Sequence, residues 1–414
     1  MRIPAFLRDN ARWLAGGFLL TLFSSYGQTF YIALSSGGIR DELGLSHGDF
    51  GLLYMMATLA SAVTIPFAGR FADTMRIERY AVVVILGLAA SMVLLSQARS
   101  LAVLFVAIAG LRLFGQGLMS HAAMTAMGRW FSRNRGKAVS SAAMGHQLGE
   151  SIMPVSFVAL AALAGWRGGW LVNAAFFLLL VLPTVWLLMR VPREPLAEER
   201  QNTVEGRQWT RGEALRDPLF WLLIPGLLAP PVIGTTVFFH QVYLTELRGW
   251  ALGQFAGSTP VLSVFAIAAT LVAGVVIDRF HSAVLLPATL LCVAIANLAV
   301  AFVTPAWAIL VYMAGMGTSF GLYAAAFGAI WPELYGTRHL GAIKSAVTAI
   351  MVLCTALGPG VSGWLIDAGI AFPSIVAAMG FYSVAAALLM IVVERLARRR
   401  IITSDPVQQA SIRN

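Results

Sequence analysis

Charge is scarce in this chain. Asp, Glu, Lys and Arg make up 12% of its 414 residues, while 58% are hydrophobic. A soluble domain of this size carries about twice that share of charge, so a large soluble protein is excluded. Cysteine is scarcer still. Cys292 and Cys354 are the only two, and both lie inside apolar runs, which argues for plain core residues rather than a disulfide. There is no Gly-x-x-x-x-Gly-Lys-Ser/Thr run, so transport powered by nucleotide hydrolysis in this chain is not expected. Neither a nucleophile–base pair nor a metal-ligand cluster appears, so no enzyme activity, cofactor or metal is expected. Strand alternation with a polar face is absent, which excludes an outer-membrane barrel. No cleavable leader is visible either. Arg2, Arg8 and Arg12 precede an apolar run too long for a leader's core, so a retained first helix is expected.

Apolar runs of membrane-crossing length are what the chain has instead. Twelve spans are expected, over 13–34, 50–68, 80–97, 101–128, 138–163, 168–189, 218–244, 253–277, 283–303, 306–330, 340–366 and 372–393. They define an all-α membrane protein. The net charge of +10 does not point to nucleic acid, because the basic residues sit in short links between spans. With both termini in the cytoplasm, 24 of the 29 Lys and Arg residues fall on the cytoplasmic side. The opposite side holds only Arg40, Arg99, Arg167 and Arg248. That asymmetry sets the expected orientation.

The longest link, 190–217, opens with Pro192 and Pro195 and carries mixed charge, as a solvated cytoplasmic connector does. It divides the chain into an N-terminal six-helix unit, 1–189, and a C-terminal one, 218–414. A polar motif recurs at matching places in the two. Gly69-Arg70-Phe71-Ala72-Asp73-Thr74-Met75-Arg76 follows the second span, and Gly274-Val275-Val276-Ile277-Asp278-Arg279 follows the eighth. Basic, glycine-containing links that begin with Trp130 and Trp331 follow the fourth and tenth spans. Two pseudo-symmetric six-helix bundles are therefore expected.

The stretch Gly69 to Arg79 resembles the loop signature of the major facilitator superfamily, G-x-x-x-D-R-x-G-R-R/K. Gly69 and Asp73 fit in register, while Thr74 and Arg76 depart from the pattern. Arg112-Leu113-Phe114-Gly115-Gln116-Gly117 resembles the superfamily's R-x-x-Q-G element with one residue inserted. Three further stretches are similar to the monocarboxylate-porter branch. They are Arg216-Asp217-Pro218-Leu219-Phe220-Trp221, Leu357-Gly358-Pro359-Gly360 with Gly363 and Asp367, and the turn from Trp130 to Ala138. The fifth span has Gly145, Gly149 and Pro154 but lacks the Gly-Pro pair of drug–proton antiporters. The resemblance implies that spans one, four, seven and ten line a central cavity.

Ionisable groups deep in a bilayer are expensive, so each needs a reason to be there. Glu150 is the acid expected near the middle of a span, and Arg112 the arginine. At 1.5 Å per residue their depths differ by roughly 6 Å, so a pair across the fourth and fifth spans is geometrically allowed. Glu150 is read as the proton-coupling acid. Arg112 would tune its proton affinity or receive a solute carboxylate, and a permanent pair tying the two spans together is the structural alternative. His121 and His146 match in depth and are candidates for a proton relay. Candidate solute contacts are Arg112, Gln116, Tyr26, Gln28, His240, Gln241 and Tyr323. Tyr31 and Tyr243 are read as interfacial aromatics. Gly69, Asp73, Arg76, Asp278 and Arg279 are read as loop residues whose contacts change as the bundles rock.

The expected function is secondary active transport by alternating access in a bacterial inner membrane, with a small-molecule solute, protons and the lipid bilayer as partners. The solute expected first is a small organic anion such as a monocarboxylate, moved with protons. The alternative is proton-coupled efflux of hydrophobic compounds. A membrane sensor would need an output surface, and no added cytoplasmic domain is visible.

Overall fold

The computed structural model describes residues 5–131, 135–191, 208–336 and 338–404, and among these every regular element is a helix. Among the described residues, ten helices are long and apolar enough to cross a membrane. One of them, Lys137–Met189, is 53 residues long and bends at Gly165, whose φ of 69° is left-handed. The bend separates the expected fifth and sixth spans. A side chain at Gly165 would be strained in that conformation. Side chains on the outer faces are apolar and exposed, Leu163, Leu271 and Phe67 among them, as a lipid-facing surface requires.

The first expected span is not one helix. Ala11–Phe23 gives way to a tight turn at Ser24–Gly27, an extended Gln28, and the short helices Thr29–Ile32 and Ser36–Leu43. Helix ends elsewhere follow local chemistry. Ser46 and Asp49 cap each other and the start of the His47–Gly69 helix. Gly44 and Gly249 end the preceding helices in the left-handed conformation, at φ 64° and 65°. The two glycines open matching stretches, Gly44-x-x-x-Gly48-x-Phe50 and Gly249-x-x-x-Gly253-x-Phe255. This is a further internal repeat that the sequence reading passed over.

The expected tenth span runs on through Trp331 to Tyr335. Its end is anchored by Asp217, which also caps the helix Pro218–Phe239. One carboxylate oxygen of Asp217 accepts from the Leu219 N–H at 3.2 Å and the other from the Tyr335 hydroxyl at 2.8 Å. The Arg400 guanidinium forks onto both oxygens. Burial pushes this carboxyl up, but the hydrogen bonds from Arg400, Tyr335 and Leu219 outweigh it and hold the group below its ordinary value. Its contribution to stability is thus present above the unfolded value of about 4 and is lost as pH falls through the lowered folded value. Asp217→Asn is expected to cost about 1–3 kcal/mol, read as a fall in melting temperature at neutral pH that shrinks in acid.

Most of the link 190–217, together with Ser132, Arg133 and Asn134, lies outside the described residues. So does the side chain of Asp73. The described end of the link holds one short helix, Arg211–Arg216, with its own capping box from Thr210 and Glu213.

Candidate functional site: a cavity with one carboxylate

The fourth span carries wide π-type turns at Leu111–Met119, in the stretch where the sequence has one extra residue. An inserted residue in a helix is accommodated by widening a turn. The widened turns fit the break in the first span. A Cβ on Gly27 would meet the Leu111 carbonyl, the Gln116 nitrogen at 2.5 Å and the Gly115 Cα at 2.6 Å, so backbone packs directly on backbone here. Arg112 secures the break. Its guanidinium donates to the Gly27 carbonyl and the Thr29 hydroxyl, each at 3.2 Å, and lies over the Tyr54 ring at 5.6 Å. The Tyr54 hydroxyl also donates to Thr29, at 2.9 Å.

The fifth span packs on the first through glycine. A Cβ on Gly145 would meet the Phe18 carbonyl and the Thr21 hydroxyl, and one on Gly149 would meet Ser25 and the Leu22 carbonyl. Small residues four apart let two membrane helices approach closely. His146 and Glu150 each follow one of these glycines and are themselves four apart, so they share the neighbouring face of the helix. That face lines a cavity of about 280 Å³.

The cavity wall combines Gln28, Thr29 and Phe30 of the first span, Gln116 of the fourth, and His146, Gln147 and Glu150 of the fifth. Pro231, Gly234, Thr235 and Phe238 come from the seventh, and Phe320 and Tyr323 from the tenth. Spans one, four, seven and ten therefore line it, as the resemblance implied, and the fifth joins them. No lysine or arginine is among these residues. Glu150 is 8% exposed, and no ion pair to it occurs among the described residues.

The remaining candidates lie elsewhere. Arg112 is buried against the helix break, outside the cavity wall. Tyr26 is buried against Phe177 at 4.9 Å and Tyr31 at 4.6 Å. Tyr31, expected at the interface, is fully buried and takes a hydrogen bond from Asn173. His121 is exposed and packs beside Gly69. Arg76 pairs with Glu78 at 2.5 Å, and Asp278 and Arg279 are exposed. The sequence reading missed Gln147, Thr235, Phe238 and Phe320. Gln147 carried a signal in standing between two singled-out residues of one helix.

His240 and Gln241 sit where the two halves of the chain meet. The Gln241 amide donates to the Phe30 carbonyl at 2.7 Å, and His240 Nε2 lies 2.8 Å from the Ser362 hydroxyl. Beside them the second and eleventh spans pack backbone on backbone. Gly51 abuts the Pro359 carbonyl, Gly363 abuts the His47 carbonyl, and the Gly48 N–H donates to Asp367 at 2.8 Å. The fifth and eighth spans add Thr259 to the Ser151 carbonyl at 2.9 Å and Ser263 to the Gln147 carbonyl at 3.0 Å. These contacts gather toward the end marked by Gly44 and Gly249. Beyond them, outside the closed junction, Glu42 accepts from Arg167 and Trp166, each at 2.8 Å. The Arg167 hydrogen bond holds its carboxyl below the usual range.

Comparison with known proteins agrees with this geometry. The chain resembles a bacterial homolog of the human lysosomal transporter Spinster in an inward-facing, unoccupied conformation. The two are 19% identical, the match covers 96% of this chain and 99% of that one, and the TM-score is 0.74. The same homolog in an inward-facing, occupied conformation matches at 18% identity, 98% and 100% coverage, and a TM-score of 0.69. The nucleoside transporter NupG matches at 14% identity, 93% and 99% coverage, and a TM-score of 0.66. Likeness at these identities speaks to the fold alone. No curated protein matches the sequence. The family model of the Major Facilitator Superfamily matches residues 17–353, well over half of the chain. This chain therefore belongs to the Major Facilitator Superfamily and is an integral membrane transporter rather than an enzyme.

Proposed function

We propose that the chain is a proton-coupled secondary transporter of a bacterial inner membrane, with Glu150 as its coupling acid. Twelve spans form two six-helix bundles, 1–189 and 218–414, joined by the cytoplasmic link 190–217, with both termini inside. The bundles rock about the shared cavity and expose it to each side in turn. With the basic links inside, the packed end faces outward, and the arrangement is inward-open.

One observation carries the reading: a single carboxylate stands in the wall of a cavity built from both halves, and no fixed cation accompanies it. An acid in such a place must give up or neutralise its charge as the cavity changes access, which is what coupling to protons requires. The same lining bears on the solute. A carboxylate solute would want an arginine in the wall, and Arg112, bonded through Nη1 to Gly27 and Thr29 with its Nε buried and unpartnered, lies outside it. The geometry therefore favours the alternative to the organic anion. The solute is a neutral or cationic molecule with an apolar face, held by Phe30, Phe238 and Phe320 and oriented by Gln28, Gln116 and Tyr323.

Thermal stabilisation of the purified protein by ethidium, uridine and benzoate, at about pH 5.5 and about pH 8, tests the solute class. A ligand at about 100 times its dissociation constant adds about 2.7 kcal/mol. Ethidium is expected to stabilise, and more at the higher pH, because the cation and the proton compete for Glu150. Stabilisation by benzoate alone, stronger in acid, would return the reading to organic anions.

A further inference from the structure

At the packed end, a second titratable group occupies a position on which closure depends. Arg40 Nη1 lies 3.0 Å from His47 Nε2. A guanidinium has no lone pair to offer, so Nε2 must be the acceptor. His47 is then neutral, with its proton on Nδ1. The ring also packs on Tyr243 at 4.0 Å and faces His240 at 6.0 Å, both from the other half of the chain. The backbone of His47 belongs to the same junction, since its carbonyl abuts Gly363 and the next N–H binds Asp367. A cavity of about 10 Å³ lies among Ser36, Arg40, His47, His240 and Tyr243, room for about one water.

We propose that His47 is a second proton-binding site, whose occupancy opens the Gly44/Gly249 end of the molecule. A proton on Nε2 removes the acceptor from Arg40 and places a second cation at hydrogen-bond distance from the guanidinium. Among the charged and titratable groups around the ring, Arg40 comes from the short helix Ser36–Leu43 and His240 and Tyr243 from the seventh span. His240 is buried beside Ser362 and Phe372. Asp367, from the eleventh span, is the acid that would welcome the proton, but it is bound to the Gly48 N–H. Asp49, on His47's own helix, is engaged in the capping box with Ser46. Glu246 lies farther off, beside Gly37. The direct contact with Arg40 outweighs the more distant attraction of Asp367, so the net effect of the proton is to loosen the junction. The consequence rests on the transport reading above: protons arriving from outside favour the state that can admit them to the cavity, before Glu150 is reached.

The test is the distance between spin labels at Arg99→Cys and Thr304→Cys, in the full chain with Cys292→Ser and Cys354→Ser, in nanodiscs. These two labels sit in the links of the two halves at the packed end. Between about pH 8 and about pH 5.5, the ratio of separated to closed molecules should rise, by up to about tenfold per pH unit, the limit for one proton. His47→Gln keeps an acceptor for Arg40 but cannot titrate, so its ratio should stay low, and flat in a Glu150→Gln background where the coupling acid cannot titrate either. Arg40→Gln should show a weakened response, and it serves in place of His47→Gln if that variant fails to fold. A wild-type response retained in His47→Gln, a ratio that does not move, or closure on acidification would each overturn the proposal. Glu150→Gln should leave the response in place. If it abolishes the response while His47→Gln keeps it, the second site falls and the coupling role of Glu150 stands. If pH-driven accumulation survives Glu150→Gln while His47→Gln flattens the response, the coupling role falls and the second site stands.

Discussion

Glu150→Gln is expected to lose accumulation of solute driven by a pH gradient while keeping exchange of solute across the membrane. The substitution preserves the size of the side chain and, with one acceptor oxygen and an N–H donor, mimics its protonated form while removing its ability to ionise. Glu150 and His146 share a cavity face because Gly145 and Gly149 hold the other face against the first span. The variant therefore leaves the packing seam untouched. A gradient of one pH unit holds about 1.36 kcal/mol per proton, enough for about tenfold accumulation with one proton per solute. In proteoliposomes the wild type should approach that ratio and the variant should stop at equality. The variant should still exchange preloaded solute, at a comparable rate for neutral uridine and more slowly for cationic ethidium, which loses the charge of Glu150. Concentrative uptake by the variant at the wild-type ratio would remove Glu150 from the mechanism.

Gly27→Val is expected to prevent stable folding or lower stability by about 3 kcal/mol or more. Its Cβ would enter the space of the Leu111 carbonyl and the Gly115 Cα, and these are backbone atoms of a neighbouring helix that cannot swing aside. Moving them would also pull Arg112 from the Gly27 carbonyl, one of the two acceptors of a buried guanidinium whose Nε already lacks a partner. Gly328→Ala provides the contrast. That glycine lies inside the helix Ala308–Tyr335 with open space around it, so the added methyl should stabilise by about 0.5–1 kcal/mol. Melting temperatures of the two variants in one detergent separate close helix contact from a general cost of replacing glycine. A Gly27→Val protein as stable as wild type would mean that the break and the widened turns do not touch.

Much of this architecture was legible because membrane insertion is written in long apolar runs and short basic links. The paired motifs at Gly69–Asp73 and Gly274–Asp278 marked the family, and Glu150 stood out as an acid within a span. The role of Arg112 was not legible. The residue inserted near Gly115 turns Arg112 relative to Gln116 and everything after it, so spacing alone could not tell which face Arg112 presents. The first span carried a warning in Ser24, Ser25, Gly27, Ser35, Ser36 and Gly37, a density of small and polar residues that suits a broken helix better than a continuous one. His240 and Gln241 were noticed as polar residues in a lining span. Their place at the junction depends on the tilt of the two halves, which no local pattern encodes. His47 escaped notice because it lies at a helix start, where polar residues are ordinary.

The measurement that bears most directly on the account is proton movement itself. Pyranine trapped in proteoliposomes, with no imposed pH gradient, reports internal pH when a solute gradient is added, using whichever of ethidium and uridine stabilises the protein. Proton-coupled transport predicts a shift of internal pH that requires the solute gradient, disappears with a protonophore, and is absent in Glu150→Gln. Solute flux through the wild-type protein with no change of internal pH would contradict it.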